Sequence, residues 1–439
     1  MQTYTDAKTV LPTVTPGLGR TADGRLTFNS LECVDLAHRY GTPLYLMSED
    51  AVRANCRRHL ASLRRHLGAD AVAAYASKAL SFRQMYRIMN EEGMYADAVS
   101  SGELYTASSA GFDMSHIVFH GNNKTPADIA YAIKLGTGLI VADSACELGQ
   151  ISRAAQAAGT VQRVLIRLTP GIDPHTHAKI STGQVDSKFG IPLDEASDAI
   201  ALAQSLPGVQ PDGIHYHIGS QIAEAEPYVA ALEHVLPLLT RARDELGFTA
   251  RLLNMGGGFG IRYVESDREA ELDRIFASVG RALDDFCRES GYPRPVVMTE
   301  PGRSIVADAG ITLYTVGSVK RSGAGTLYVS VDGGMTDNPR YTLYGAEYTA
   351  LSAIGTGARV TCSIVGRCCE SGDILIPHAE ISAVEPGDVI AVLNTGAYNY
   401  SMASNYNRIP RPPVVMLRGA EPYIAVRRES PEDVSGLDV

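Results

Sequence analysis

The chain has 439 residues, 45% of them hydrophobic and 20% charged, with a formal net charge of −10. This length predicts two domains with ordinary soluble cores. The acidic balance excludes nucleic acid as a partner, because phosphate binding needs a basic surface, and no apolar run is long enough to span a bilayer.

In chain order, Met1 to Gly24 is rich in Thr, Pro and Gly and carries no apolar stretch of the secretory kind, so it reads as a flexible arm. Residues 25–42 are expected to join a later β-domain. From 43 to 304, short apolar runs alternate with amphipathic segments. The runs are Pro43 to Met47, Ala71 to Ala76, Tyr95 to Val99, Ile117 to Phe119, Leu139 to Ala142, Val164 to Leu168, Gly213 to Ile218, Leu252 to Met255 and Val296 to Thr299. Between the first two, Ser48 is placed to cap a helix whose stripe is Val52, Cys56, Leu60, Leu63 and Leu67, ended by Gly68. A second helix, after the His217 strand, presents Val229, Leu232, Val235, Leu236 and Leu239. Repeated strand–helix units fit a parallel barrel or a doubly wound sheet. The (β/α)8 barrel is favoured because Lys78, His217, Gly256–Gly258 and Glu300 all follow the C-terminal ends of different strands, where barrels gather their chemistry.

From 305 to 420 the segments are short and β-branched, separated by Gly, Pro and Asp, which predicts a β-domain of sandwich or barrel type. Residues 421–439 form a charged tail. The seven cysteines are odd in number and include no C-x-x-C, fitting free thiols in a reducing cytoplasm.

Several residues carry chemistry. Lys78, among small residues at a strand end, would become a nucleophile toward carbonyls if a cavity desolvated its amine; the alternative is a strand-end lysine pointing at water. Gly256-Gly257-Gly258-Phe259-Gly260 would let backbone N–H groups approach a phosphate, although tight turns use the same residues. With no Rossmann acid and no P-loop lysine, a small phosphate-bearing cofactor fits better than a nucleotide. Glu300 offers a carboxylate that would keep the pyridine nitrogen of pyridoxal phosphate (PLP) protonated, or it pairs with Arg303. Arg303 in turn suits a substrate carboxylate.

Alternation places His215 and His217 on one strand face. No further ligand signature accompanies them, so no metal is expected, and His217 is read as stacking on a flat cofactor with His215 a mere neighbour. His175 and His177 read as loop residues. Cys369 is either a small buried hydrophobe or an acid that returns a proton to a carbanion. The β-domain adds Arg340, Tyr344 and Tyr398, whose alternatives are surface arginine and core tyrosine.

Taken together, YASKA at 75–79, HGNNK at 120–124, HTHAKISTGQVDSKFGIP at 175–192, HIGSQI at 217–222, GGGFG at 256–260, EPGRSIV at 300–306, DNPRYTLYGAEY at 337–348, GRCCESGDIL at 366–375 and GAYNYSMASNYN at 396–407 resemble diaminopimelate decarboxylase, a fold type III PLP family. The resemblance runs from about residue 25 to 420. Leu80 departs from it, where the family more often has Asn.

The resemblance implies a homodimer with shared active sites. Lys78 would carry PLP covalently and His217 would stack on it. Gly256, Gly257 and Gly258, with Ser220, Gly302 and Arg303, would hold the phosphate, and Glu300 would face the ring nitrogen. Arg303, Arg340 and Tyr344 would grip the far end of the substrate. Cys369, as proton donor, and Glu370, reading the distal ammonium, would come from the partner chain, and Tyr398 would touch cofactor and substrate. The implied reaction decarboxylates meso-2,6-diaminopimelate at its D-centre to give L-lysine. Related decarboxylases of D-lysine or D-ornithine, and a non-catalytic PLP-binding protein, are the alternatives; an alanine racemase would lack the CESGD segment.

Overall fold

Two compact units make up the computed structural model, which describes residues 11, 14–172, 187–355 and 357–439. His175 and His177 lie outside the described residues. One unit spans 55–261 and 268–304; the other takes the chain up to 54, together with 262–267 and 305–439.

The first unit is built on eight strands: β1 (Val72–Ala76), β2 (Tyr95–Ala98), β3 (Ile117–Phe119), β4 (Leu139–Ala142), β5 (Gln162–Thr169), β6 (Val209–Tyr216), β7 (Leu252–Asn254) and β8 (Val296–Thr299). Each pairs in parallel with the next. The ring closes where Met298 and Thr299 of β8 pair with Val72 and Ala73 of β1. Strands covered on both faces read as apolar runs rather than alternations, which is why these short segments were legible. Ala74, Val118, Leu139, Val141, Leu165, Leu252 and Met298 pack as one cluster. The connecting helices have chemical starts. Ser100, Thr125 and Ser144 accept the backbone N–H of Glu103, Asp128 and Glu147, and Thr125 with Asp128 forms a full capping box.

The 43–47 run, expected as the first barrel strand, lies elsewhere. Leu44–Ser48 pairs antiparallel with Gly310–Arg321 and parallel with Val414–Arg418, in the mixed nine-stranded sheet of the second unit. An apolar run signals a strand but does not name its neighbour. Leu44, Leu46, Ile311, Leu313, Val415 and Leu417 bury one face of this sheet together with Leu36 of the helix Cys33–Tyr40.

Ser48 accepts the N–H of Ala51 at the head of Glu49–Leu67, as the sequence predicts, and all five residues of the expected stripe are buried. The helix Glu226–Leu246 differs in one place. Leu232, Val235, Leu236 and Leu239 are buried, but Tyr228 heads the buried face while Val229 is half-buried.

Candidate active site

At the C-terminal ends of the barrel strands, β1 runs directly into a 3₁₀ turn, Ser77–Ala79, that carries Lys78. Ser77 and Ala79 are buried but Lys78 is exposed.

Glu300 follows β8 and is buried. Its Oε1 accepts from Asn254 Nδ2 at 2.6 Å and meets His120 Nε2 at 2.7 Å, and its Oε2 meets His215 Nε2 at 3.1 Å. Burial opposes charge on this carboxyl, yet the imidazoles beside it hold it well below the usual carboxylate range. Burial pushes the His215 imidazole down to about 4, against the pull of Glu300. His215 is thus a neutral ring that donates from Nε2, and Glu300 is an ionised acceptor.

His215 is therefore not a mere neighbour of His217. The ground for excluding metal also changes, because ligand atoms of His120, His215 and Glu300 lie within 4.8 Å of one another. Asn254, a hydrogen-bond donor, occupies the same carboxylate oxygen as His120, which fits an anchored acceptor better than a metal ligand.

The glycine turn after β7 is set by close backbone approach. A Cβ on Gly257 would lie 2.0 Å from the Glu300 carbonyl oxygen, and one on Gly258 would lie 2.4 Å from that of Gly219, with φ at +100°. Gly256 N–H donates to Asn254 Oδ1 at 2.9 Å and Gly257 N–H to His217 Nδ1 at 3.3 Å. Burial pushes the His217 imidazole down to about 3, and the Lys78 charge acts in the same direction, so Nδ1 is an acceptor. Gly258 alone of 256–260 is partly exposed, and no hydrogen bond occupies its N–H among the described residues. Arg303 donates to Ser220 Oγ at 3.0 Å, and Gly302 packs where a Cβ would meet that of Ala76 at 2.9 Å.

Sequence reasoning missed four residues here. His120 directly follows β3, and the HGNNK motif was its signal. Lys124 of that motif is structural, a buried ammonium bound to the carbonyls of Gly121 and Val141 and to Glu147. Asn254 ends β7. Asp97 is an acid inside the apolar run of β2, and burial raises its pKa. The Glu103 carboxylate accepts Val99 N–H at 2.7 Å; burial pushes it up to about 7, and Asp97 adds to the rise.

The remaining predicted residues belong to the second unit. Arg340 begins the short helix Arg340–Tyr344, is buried, and donates to Tyr348 Oη at 2.7 Å with Tyr263 beneath it at 4.9 Å. Tyr348 in turn donates to Asn399 Oδ1 at 3.2 Å. Tyr344 is exposed. Thr342 of this helix donates to the Gly372 carbonyl, so the 369–373 turn sits beside it. Cys369 and Glu370 are exposed on that turn, with Cys369 N–H donating to Asn407 Oδ1 at 2.9 Å. The alternative of a small buried hydrophobe at Cys369 is thus set aside. Tyr398 is half-buried, with φ at +62°, a backbone region bulky residues seldom occupy.

A closed parallel barrel with a lysine past its first strand and a charged carboxylate past its last has the parts of a pyridoxal enzyme. The family model for "Pyridoxal-dependent decarboxylase, pyridoxal binding domain" matches residues 53–307. The chain is 43% identical over 420 residues, 95% of each chain, to diaminopimelate decarboxylase of Bacillus subtilis (strain 168). Diaminopimelate decarboxylase from M. jannaschii in co-complex with L-lysine superposes with a TM-score of 0.91 at 32% identity, covering 97% of this chain and 98% of that one. The Helicobacter pylori enzyme complexed with L-lysine gives 0.84 at 32% identity, covering 92% and 98%. The chain belongs to the diaminopimelate decarboxylase family of PLP-dependent enzymes.

Proposed function

We propose that this protein decarboxylates meso-2,6-diaminopimelate at its D-centre, releasing carbon dioxide and L-lysine as the last step of lysine biosynthesis. The observation that carries the reading is the buried Glu300 carboxylate, kept charged by His120, His215 and Asn254. An anion beside a pyridine nitrogen favours its protonated form. The chain's donors suit PLP as well, since the Gly258 N–H and the Arg303–Ser220 pair offer an anion site at strand ends.

When bound, the cofactor supplies an electron sink for the carbon–carboxylate bond that breaks. Lys78 would hold it covalently, His217 would lie against its ring, and Gly256–Gly258, Ser220, Gly302 and Arg303 would hold its phosphate. The family resemblance supports the remaining roles. Arg303, Arg340 and Tyr344 would bind the distal carboxylate, Glu370 the distal ammonium, and Tyr398 both cofactor and substrate. Cys369 would return the proton to the α-carbon from the partner chain of a homodimer. Exposure of Cys369, Glu370 and Tyr344 in the single chain supports a role at a subunit boundary. No helix among the described residues is long and apolar enough to cross a membrane, and a cytoplasmic setting fits the seven free thiols.

Arg340 speaks against D-lysine or D-ornithine as the main substrate, because a buried guanidinium suits an anionic partner that neither has. Carbon dioxide release measured with meso-diaminopimelate, D-lysine and L-lysine tests the reading. Preference for the first is expected, and equal rates with D-lysine would overturn it.

A further inference from the structure

Two of the three carbonyls of the 256–258 turn accept from backbone. The Gly256 carbonyl accepts from Glu300 N–H at 2.8 Å and the Gly258 carbonyl from Ile222 N–H at 2.9 Å. The peptide joining Gly257 to Gly258 is the exception. Its carbonyl accepts from a side chain, the hydroxyl of Tyr228, at 3.2 Å. This peptide is flanked by glycine on both sides, where Cβ sterics oppose a flip least.

Tyr228 is itself firmly placed. It is fully buried near the start of Glu226–Leu246, and its ring stacks on Phe259 at 5.3 Å between centroids with planes 8° apart. Phe259 is met edge-on by His59 at 5.1 Å and Phe276 at 5.5 Å. In a trans peptide the carbonyl and the following N–H point in opposite directions. Holding the Gly257 carbonyl toward the helix layer therefore turns the Gly258 N–H the other way, and Gly258 is the partly exposed member of the turn.

We propose that Tyr228 is a positioning residue for the phosphate cradle: its hydroxyl sets the sense of the Gly257–Gly258 peptide so that a donor, not an acceptor, faces the cofactor phosphate. A flipped peptide would present the Gly257 carbonyl oxygen to a dianion. The inference rests on the reading that this turn holds the phosphate.

Tyr228→Phe removes the hydroxyl and keeps the stacked ring. The full-length protein, stripped of cofactor, is titrated with PLP and separately with pyridoxal, which lacks the phosphate; binding is followed by absorbance. In Tyr228→Phe the PLP dissociation constant is expected to rise about five-fold, the range of one hydrogen bond, with pyridoxal binding unchanged and the melting temperature lowered by at most a few degrees. Equal loss for both ligands would mean that Tyr228 merely packs, and no loss for either would mean that the peptide is set without it; each overturns the proposal. If the unaltered protein bound PLP no better than pyridoxal, the phosphate assignment of the turn would fail instead.

Discussion

His120 Nε2 stands 2.7 Å from Glu300 Oε1, although the two residues are 180 positions apart. The contact joins the end of β3 to the end of β8 and, with His215 and Asn254, favours the charged form of the carboxylate against its burial. Glu300→Gln keeps the shape and loses the charge. It should lower kcat by about 10² to 10³, the usual worth of one preorganised electrostatic group, while PLP content per chain stays near normal. Steady-state rates and cofactor quantitation on the same preparation check this; an unchanged kcat would remove Glu300 from the chemistry.

Lys78 should be the only covalent attachment point. Borohydride reduction of the holoenzyme, followed by peptide mapping, should place the label in the YASKA segment. A label on Lys124, whose ammonium is buried in a structural network, would contradict the account of both residues.

Substrate choice should rest on Arg340. Its charge-assisted bonds are worth roughly 1.5–3 kcal/mol each, so Arg340→Ala should reduce kcat/KM for meso-diaminopimelate by about ten- to a hundred-fold. The weak rate with D-lysine should fall much less, and the bound-cofactor spectrum should not change. Equal losses on both substrates would make Arg340 a scaffold residue, held only for its contacts to Tyr348 and Tyr263.

If Cys369 acts across subunits, two inactive proteins should rescue each other. Mixing Lys78→Ala with Cys369→Ala chains under subunit exchange should restore about a quarter to a half of normal activity, since each heterodimer holds one intact site. Exchange proven by mass without any recovered activity would place the site within one chain.

Glu103 makes a prediction about pH. Burial raises its carboxyl to about 7 in the fold, above the roughly 4.3 of an unfolded chain. Between these values the folded state keeps a proton that the unfolded state has lost. Stability therefore falls as pH rises through that window and levels off above it. Glu103→Gln, which can still accept from Val99 N–H, should flatten the fall in melting temperature between pH 5 and 8. An unaltered slope would show that Glu103 does not titrate there.

The sequence by itself determined the strand–helix rhythm, because strands buried on both faces need apolar runs and helices need a 3.6-residue stripe. It also marked Lys78, the glycine turn and Glu300, since a strand-end lysine, a run of glycines and a strand-end carboxylate are visible in the local sequence. Pairing was decided only in three dimensions. Leu44–Ser48 has the composition of a barrel strand, yet it pairs with Gly310–Arg321 and Val414–Arg418, whose residues are hundreds of positions away. His215 looked incidental beside His217 until β6 and β8 brought its Nε2 to Glu300, and Tyr228, outside the stripe expected for its helix, gained a role only where its hydroxyl met Gly257. Periodicity records which face of an element is buried, and only the closed ring of strands records what that face meets.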